Sequence, residues 1–164
     1  MVLQMRLGIN YFTEVYIPVN NYPEWWDSSV TVYNKYEDPA TRRITWYKTV
    51  LHNCFWKYTG NKIVVGETTL ETNTTLCRVP ANTAFLEKYK WEAEPDKQKY
   101  FTFGTGDILV KGEVTDTVDE YLAGHRSSDL LTKYKKLQGC MVIEQCATNT
   151  GTGRGSEHYY VRGV

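Results

Sequence analysis

The sequence predicts a mainly β fold: a small barrel-like antiparallel domain with one or two short helices, long loops and an N-terminal extension. Aromatic residues make up 14% of the 164 positions, thirteen of them tyrosine, and together with many threonines they suit a pleated surface better than a helix. Apolar and polar side chains also alternate at period two over short runs. Between those runs stand Gly, Asn, Asp and Pro, the residues whose backbone preferences make turns.

Residues 1–29 are the least regular, broken by Pro18 and Pro23, and read as an extension or arm holding one strand around 9–16. The domain proper is expected at 30–164. Val30-Thr31-Val32-Tyr33-Asn34-Lys35-Tyr36 alternates like a half-buried strand, and Glu37-Asp38-Pro39-Ala40-Thr41 supplies a turn. Residues 44–57 lack Gly and Pro and read as one long strand, or two joined by a bulge near His52-Asn53, in a hairpin with the first.

A second turn is expected at Gly60-Asn61, with short strands at 63–65 and 74–79 around a threonine-rich connection. Pro80, which has no N–H, ends the ladder. Residues 81–99 read as a charged surface insertion containing a short helix at 83–93, where Phe85, Leu86 and Tyr89 share a face before Pro95. Residues 100–103 and 108–114 form a second hairpin around Gly104-Thr105-Gly106-Asp107. Ser128-Asp129 caps a helix over 130–137, with Leu130, Leu131, Tyr134 and Leu137 inward and Gly139 at its C-terminus. The last strands are 140–147 and 158–161, joined by a loop of Gly, Thr and Asn around Arg154.

A 41% hydrophobic content fills one core, and nineteen basic residues balance nineteen acidic ones. No global field therefore draws the chain to nucleic acid or to an anionic membrane. The charge is uneven along the chain. Seven basic residues stand against four acidic in 30–80, five against nine in 81–120, and six against three in 121–164. Such a pattern lets an acidic insertion of one copy meet a basic face of another. The longest runs without a charge are nine residues, at 15–23 and 145–153, so no membrane span is expected. Neither is a cleaved secretory signal.

Chemistry is sparse. His52, His125 and His158 are scattered and form no HExxH pattern, and Cys54, Cys77, Cys140 and Cys146 lack zinc-ligand spacing. No metal and no cofactor are expected, and the cysteines read as reduced, buried, small hydrophobes. His52 and Cys54 share a strand face and read as a buried neutral pair. No GxSxG elbow occurs. Asp107 with Glu113 and Asp116 with Asp119 leave a carboxylate-pair hydrolase open. Gly104-Thr105-Gly106 and the glycines at 151–155 read as strand-to-strand turns, since no helix follows them to bind an anion. Trp25, Trp26, Trp46, Trp56 and Trp91 leave a second class open, a carbohydrate- or nucleic-acid-binding module stacking ligands on an aromatic platform.

Val-Thr-Val-Tyr-Asn-Lys-Tyr-Glu-Asp-Pro-Ala-Thr at 30–41, followed by Trp46-Tyr47-Lys48-Thr49-Val50-Leu51-His52 and Trp56, resembles a family of small tailed-bacteriophage minor structural proteins. The likeness continues in Arg78-Val79-Pro80, in Phe101-Thr102-Phe103-Gly104-Thr105-Gly106-Asp107-Ile108-Leu109-Val110-Lys111-Gly112-Glu113, and in Arg154-Gly155-Ser156-Glu157-His158 with Val161-Arg162-Gly163. Residues 1–29 and the 145–153 loop depart from it. The resemblance implies a non-enzymatic virion component of head-closure, head-to-tail joining or minor-capsid type, made in the bacterial cytoplasm. Its expected partners are further copies of itself in a ring, portal or connector and tail proteins, and DNA passing non-specifically through the channel. Trp25, Trp26, Arg42, Arg43 and Arg154, which fall in extensions or turns, are the expected interface or channel residues.

Overall fold

A computed structural model describes residues 22–149 and 156–164; the strand expected around 9–16 and Arg154 lie outside them. Six strands close into an antiparallel barrel. They are β1 (Ser28–Glu37), β2 (Ile44–Val65), β3 (Thr68–Pro80), β4 (Ile108–Lys111), β5 (Cys140–Asn149) and β6 (His158–Gly163), in the order β1-β2-β3-β6-β5-β4. Two short helices, α1 (Lys88–Ala93) and α2 (Ser127–Lys135), interrupt the strands. The mainly β, barrel-like reading of the sequence is therefore the observed architecture.

β1 explains why the barrel holds. Val30 and Val32 point into a core with Leu51, Val79, Leu109, Met141, Ile143 and Val161, each such burial contributing roughly 1.5–3 kcal/mol. The alternate positions are buried too. Tyr33 joins Ile108, Val110, Val114 and Leu130 in a second cluster under α2, and Thr31 Oγ1 donates to Gly112 O at 2.7 Å while accepting from Val114 N at 2.9 Å. The half-buried reading of β1 is thus corrected: 112–134 cover its outer face, and the polar phase of the alternation is satisfied internally.

β2 bends where a bulge is expected. Val30 pairs with Leu51 but Ser28 with Cys54, and Asn53 adopts φ 56°, so two residues of β2 answer one of β1. The turn expected at Gly60-Asn61 is not there. Both residues lie inside β2, opposite Asn73 and Thr72, and the chain reverses at Gly66-Glu67, where Gly66 supplies φ 63° for a two-residue hairpin turn. β2 and β3 are consequently longer than expected.

Three other expectations change. Phe85 pairs with Phe101 as an isolated parallel bridge, and Leu86 N donates to Phe101 O at 2.9 Å. This extended pairing keeps Phe85 and Leu86 out of α1, which occupies only the second half of the expected 83–93 span, Lys88–Ala93. Residues 100–103 do not form a hairpin with β4, because β4 is already flanked by β1 and β5. The 104–107 turn does form, Asp107 N donating to Gly104 O at 3.1 Å. α2 begins at Ser127, its first turn closed by Arg126 N donating to Asp129 Oδ2 at 3.0 Å, and ends before Leu137, which is 74% exposed. Gln138, not Gly139, takes the left-handed φ of 52°.

Candidate interaction surface

The bulge and the Gly66 turn bound an exposed feature of the described residues. β1 stops opposite Cys54, and β6 pairs with β3 only from Thr75 to Pro80. Beyond those points seven residue pairs, from Thr59↔Thr74 to Val65↔Thr68, form a two-stranded arm about 20 Å long at ~3.3 Å per residue. On that arm Ile63, Val64, Val65 and Leu70 are 50%, 69%, 61% and 51% exposed. A hairpin alone is marginal in water, and the apolar side chains clustered at its tip make it a candidate interaction surface.

The expected interface residues are dispersed. Trp25 is 67% exposed, but Trp26 is buried, stacked on Tyr22 at 5.1 Å and edge-on to His158 at 5.4 Å. Tyr22 Oη donates to Glu157 O, and burial first of all pushes the Tyr22 hydroxyl above its ordinary value. Trp26 therefore anchors the segment before β1 against β2 and β6, as nearby Phe55 shows at 6.4 Å. Arg42, in the β1–β2 turn at φ 58°, pairs with Glu37 at 3.0 Å. Arg43 lies over the Tyr121 ring at 4.9 Å, at the mouth of a hollow of about 200 Å³ that also includes Trp46 and Asp119. Neither arginine adjoins the arm in pairing register.

The tryptophans do not gather into a platform. Trp91 is fully buried, edge-on to Tyr36 at 6.3 Å and to Tyr47 at 5.6 Å, with Lys88 Nζ and Lys97 Nζ at 4.9 and 5.9 Å from its ring. Trp46 and Trp56 are half-buried. The charged segment around α1 thus sends its one tryptophan inward and seals one side of the barrel.

The acids are held by protein partners. Asp107 is fully buried and accepts from Asn34 Nδ2, Lys35 N and Gly104 N, each at 2.9 Å, and from Lys88 Nζ at 3.0 Å. Glu113 lies exposed, 3.5 Å from His52 Nδ1. Asp116 accepts from Lys133 Nζ at 2.9 and 3.0 Å and from Tyr134 Oη at 2.6 Å, and these bonds, Tyr134 first, hold its carboxyl below its ordinary value. Asp119 Oδ1 accepts from Tyr121 N at 2.9 Å. No group of three or more His, Cys, Asp or Glu placed to hold a metal occurs among the described residues.

The His52–Cys54 pair expected to be buried is split by the bulge. Cys54 is buried, while His52 is turned outward to Ser29 Oγ at 2.9 Å. Burial raises the Cys77 thiol, with Cys54 beside it adding to the effect, and raises Cys146 to about 11. All four thiols are free. A cavity of about 270 Å³ lies at the root of the arm between Tyr58, Asn73, Thr75, Lys135 and Val164. No helix among the described residues is long and apolar enough to cross a membrane.

Comparison with known proteins gives one match. The model of a family described as "Family of unknown function (DUF6751)" matches residues 25–164. No curated protein and no solved structure matches the chain.

Proposed function

Given that the chain belongs to that family, whose description assigns no activity, we propose from its sequence likeness and its exposed arm that it is a non-enzymatic bacteriophage virion subunit. It acts at the head-to-tail junction, as an adaptor or stopper ring between portal or connector and tail. The carrying observation is the projecting β2–β3 arm with its apolar tip, mounted on a closed barrel. A rigid barrel with one sticky extension is a repeating unit, and head-to-tail contacts between such units close into rings.

In this role the chain works sterically: copies surround the channel, complete the head and offer the tail a docking face. Arg42 and Arg43 in the exposed β1–β2 turn, with Arg154 of the sequence between β5 and β6, supply non-specific contacts to DNA phosphates. Trp25 offers an apolar contact to a neighbour. The test is the protein content and morphology of particles. Immunogold labelling is expected at the neck of purified virions, and cells infected without the gene should yield filled heads lacking tails. Normal tailed particles without the chain overturn the proposal.

A further inference from the structure

Where β2, β3 and β6 lie side by side in the barrel wall, Trp56, Cys77 and Val161 are paired across the three strands and pack into the core. Their neighbours along each strand therefore point outward. Two outward rows result, Phe55-Arg78-Tyr160 and Lys57-Leu76-Arg162, and β5 continues them with Ala147 and Gln145. Three cations, one from each strand, thus share one surface, and neither row contains an acid. Lys57 and Arg162 are exposed and Arg78 is half-buried. Asp27, Glu144 and Glu157 stand at the margins, ahead of β1, at the bulge of β5 and ahead of β6.

These cations are not neutralised inside the protein. None of the three forms an ion pair among the described residues. Arg78 lies over the Phe55 ring at 5.7 Å, a contact that orients the guanidinium and leaves its charge in place, and its Nε has no hydrogen-bond partner. The arginines of the β1–β2 turn differ, since Arg42 is paired with Glu37 and Arg43 covers Tyr121 beside Asp119.

The acidic 81–120 segment of a second copy is poorly suited to cover this face. Lys90, Lys99, Lys88 and Lys133 of the same chain take four of its nine acids, and His52 and the Trp46 indole N–H take two more. The matching negative charge then comes from outside the protein, and a nucleic-acid backbone supplies it at regular spacing. Bases have little to stack on here: Phe55 lies under Arg78 and beside Trp26, which is 6.4 Å away, and Tyr160 is half-buried. A stacking groove for single strands needs a succession of open rings.

We infer, resting on the neck role proposed above, which threads DNA past every copy, that this face binds the phosphate backbone of double-stranded DNA through Lys57, Arg78 and Arg162. The β2-β3-β6 wall of each copy accordingly faces the channel. Contacts of this kind hold the duplex without reading its sequence.

The test titrates purified full-length chain onto a fluorescein-labelled duplex, read by anisotropy, at several salt concentrations between about 50 and 200 mM. Lys57→Gln with Arg162→Gln is expected to weaken binding by about tenfold or more at the lowest salt and to make the slope of log affinity against log salt shallower by about two. Lys90→Gln with Lys99→Gln removes the same charge elsewhere and is expected to change affinity less than about twofold. Circular dichroism confirms that both variants stay folded. No binding by the wild type, equal losses in the two double variants, or a preference for a single strand with the same number of phosphates overturns the inference. Duplex binding through this face by a chain absent from virions leaves the inference standing and overturns the neck role. Presence at the neck, with the Lys57/Arg162 variant binding duplex like the wild type, does the reverse.

Discussion

Ile63 and Leu70 face each other directly across the β2–β3 arm, paired in register and each half exposed. Cross-strand apolar pairs stabilise a ribbon, but this one lies beyond every other described strand. Replacing both with serine is expected to change unfolding free energy by less than about 0.5 kcal/mol, as for surface positions. The same double variant should weaken self-association measured by sedimentation. A large loss of thermal stability would mean instead that the pair is packed within one chain.

Asp107 ties the 102–107 loop to β1 through two bonds, from Asn34 Nδ2 and Lys35 N, and also accepts from Gly104 N within the loop and from Lys88 Nζ, which counters its charge. Removing one partner of a buried pair leaves an uncompensated charge. Asp107→Ala is expected to cost about 3–5 kcal/mol in urea unfolding. Lys88→Met should cost less, because the Asp107 carboxylate keeps its bonds from Asn34 Nδ2, Lys35 N and Gly104 N, whereas Asp107→Ala leaves those three donors without their acceptor. Equal losses would contradict this.

Gly163 of β6 lies close against the backbone of Val142 and Ile143 in β5. A Cβ there would lie 2.0 Å from Val142 O, and backbone cannot step aside as a flexible side chain can. Gly163→Ala is expected to destabilise by about 1–3 kcal/mol, read as a lower thermal midpoint. Gly60→Ala is the control, since its nearest neighbour, Asn73 Oδ1, lies at 3.4 Å.

Asp116 gives the fold a dependence on acid. Its carboxyl is held below the ordinary 3.8 by Tyr134 first and then Lys133. A depressed carboxyl stabilises the folded state fully above the ordinary value, and the contribution fades as pH falls through the lower, folded value. Denaturation midpoints measured as pH falls from above the ordinary carboxylate value, roughly pH 5, into the acid range should fall less steeply for Asp116→Asn than for the wild type. Parallel slopes would remove Asp116 from the account.

The sequence made some elements legible and hid others for identifiable reasons. The bulge at His52-Asn53 and the turn at Gly104–Asp107 could be read because each rests on local backbone chemistry. The arm could not. Gly60-Asn61 has the composition of a turn, and only the competing Gly66-Glu67 turn, with its positive φ, shows that the strands run on. The register of β3 against β2 decides that matter, and register is a long-range property. Likewise Trp26 reads as an interface residue because it follows an exposed Trp25 near an irregular terminus. Its burial depends on Tyr22 and on His158 at the far end of the chain. The projecting arm becomes visible only once it is known where β1 and β6 stop.

Closure of the barrel requires Thr31 to find Val110, about eighty positions away, whereas the arm joins neighbours across a two-residue turn. Contacts so distant form on a scale of milliseconds to seconds, while a local hairpin forms in roughly 1–10 μs. Pairing within the ribbon, marginal though it is alone, is therefore in reach well before the barrel closes. Refolding yield is accordingly expected to fall as chain concentration rises.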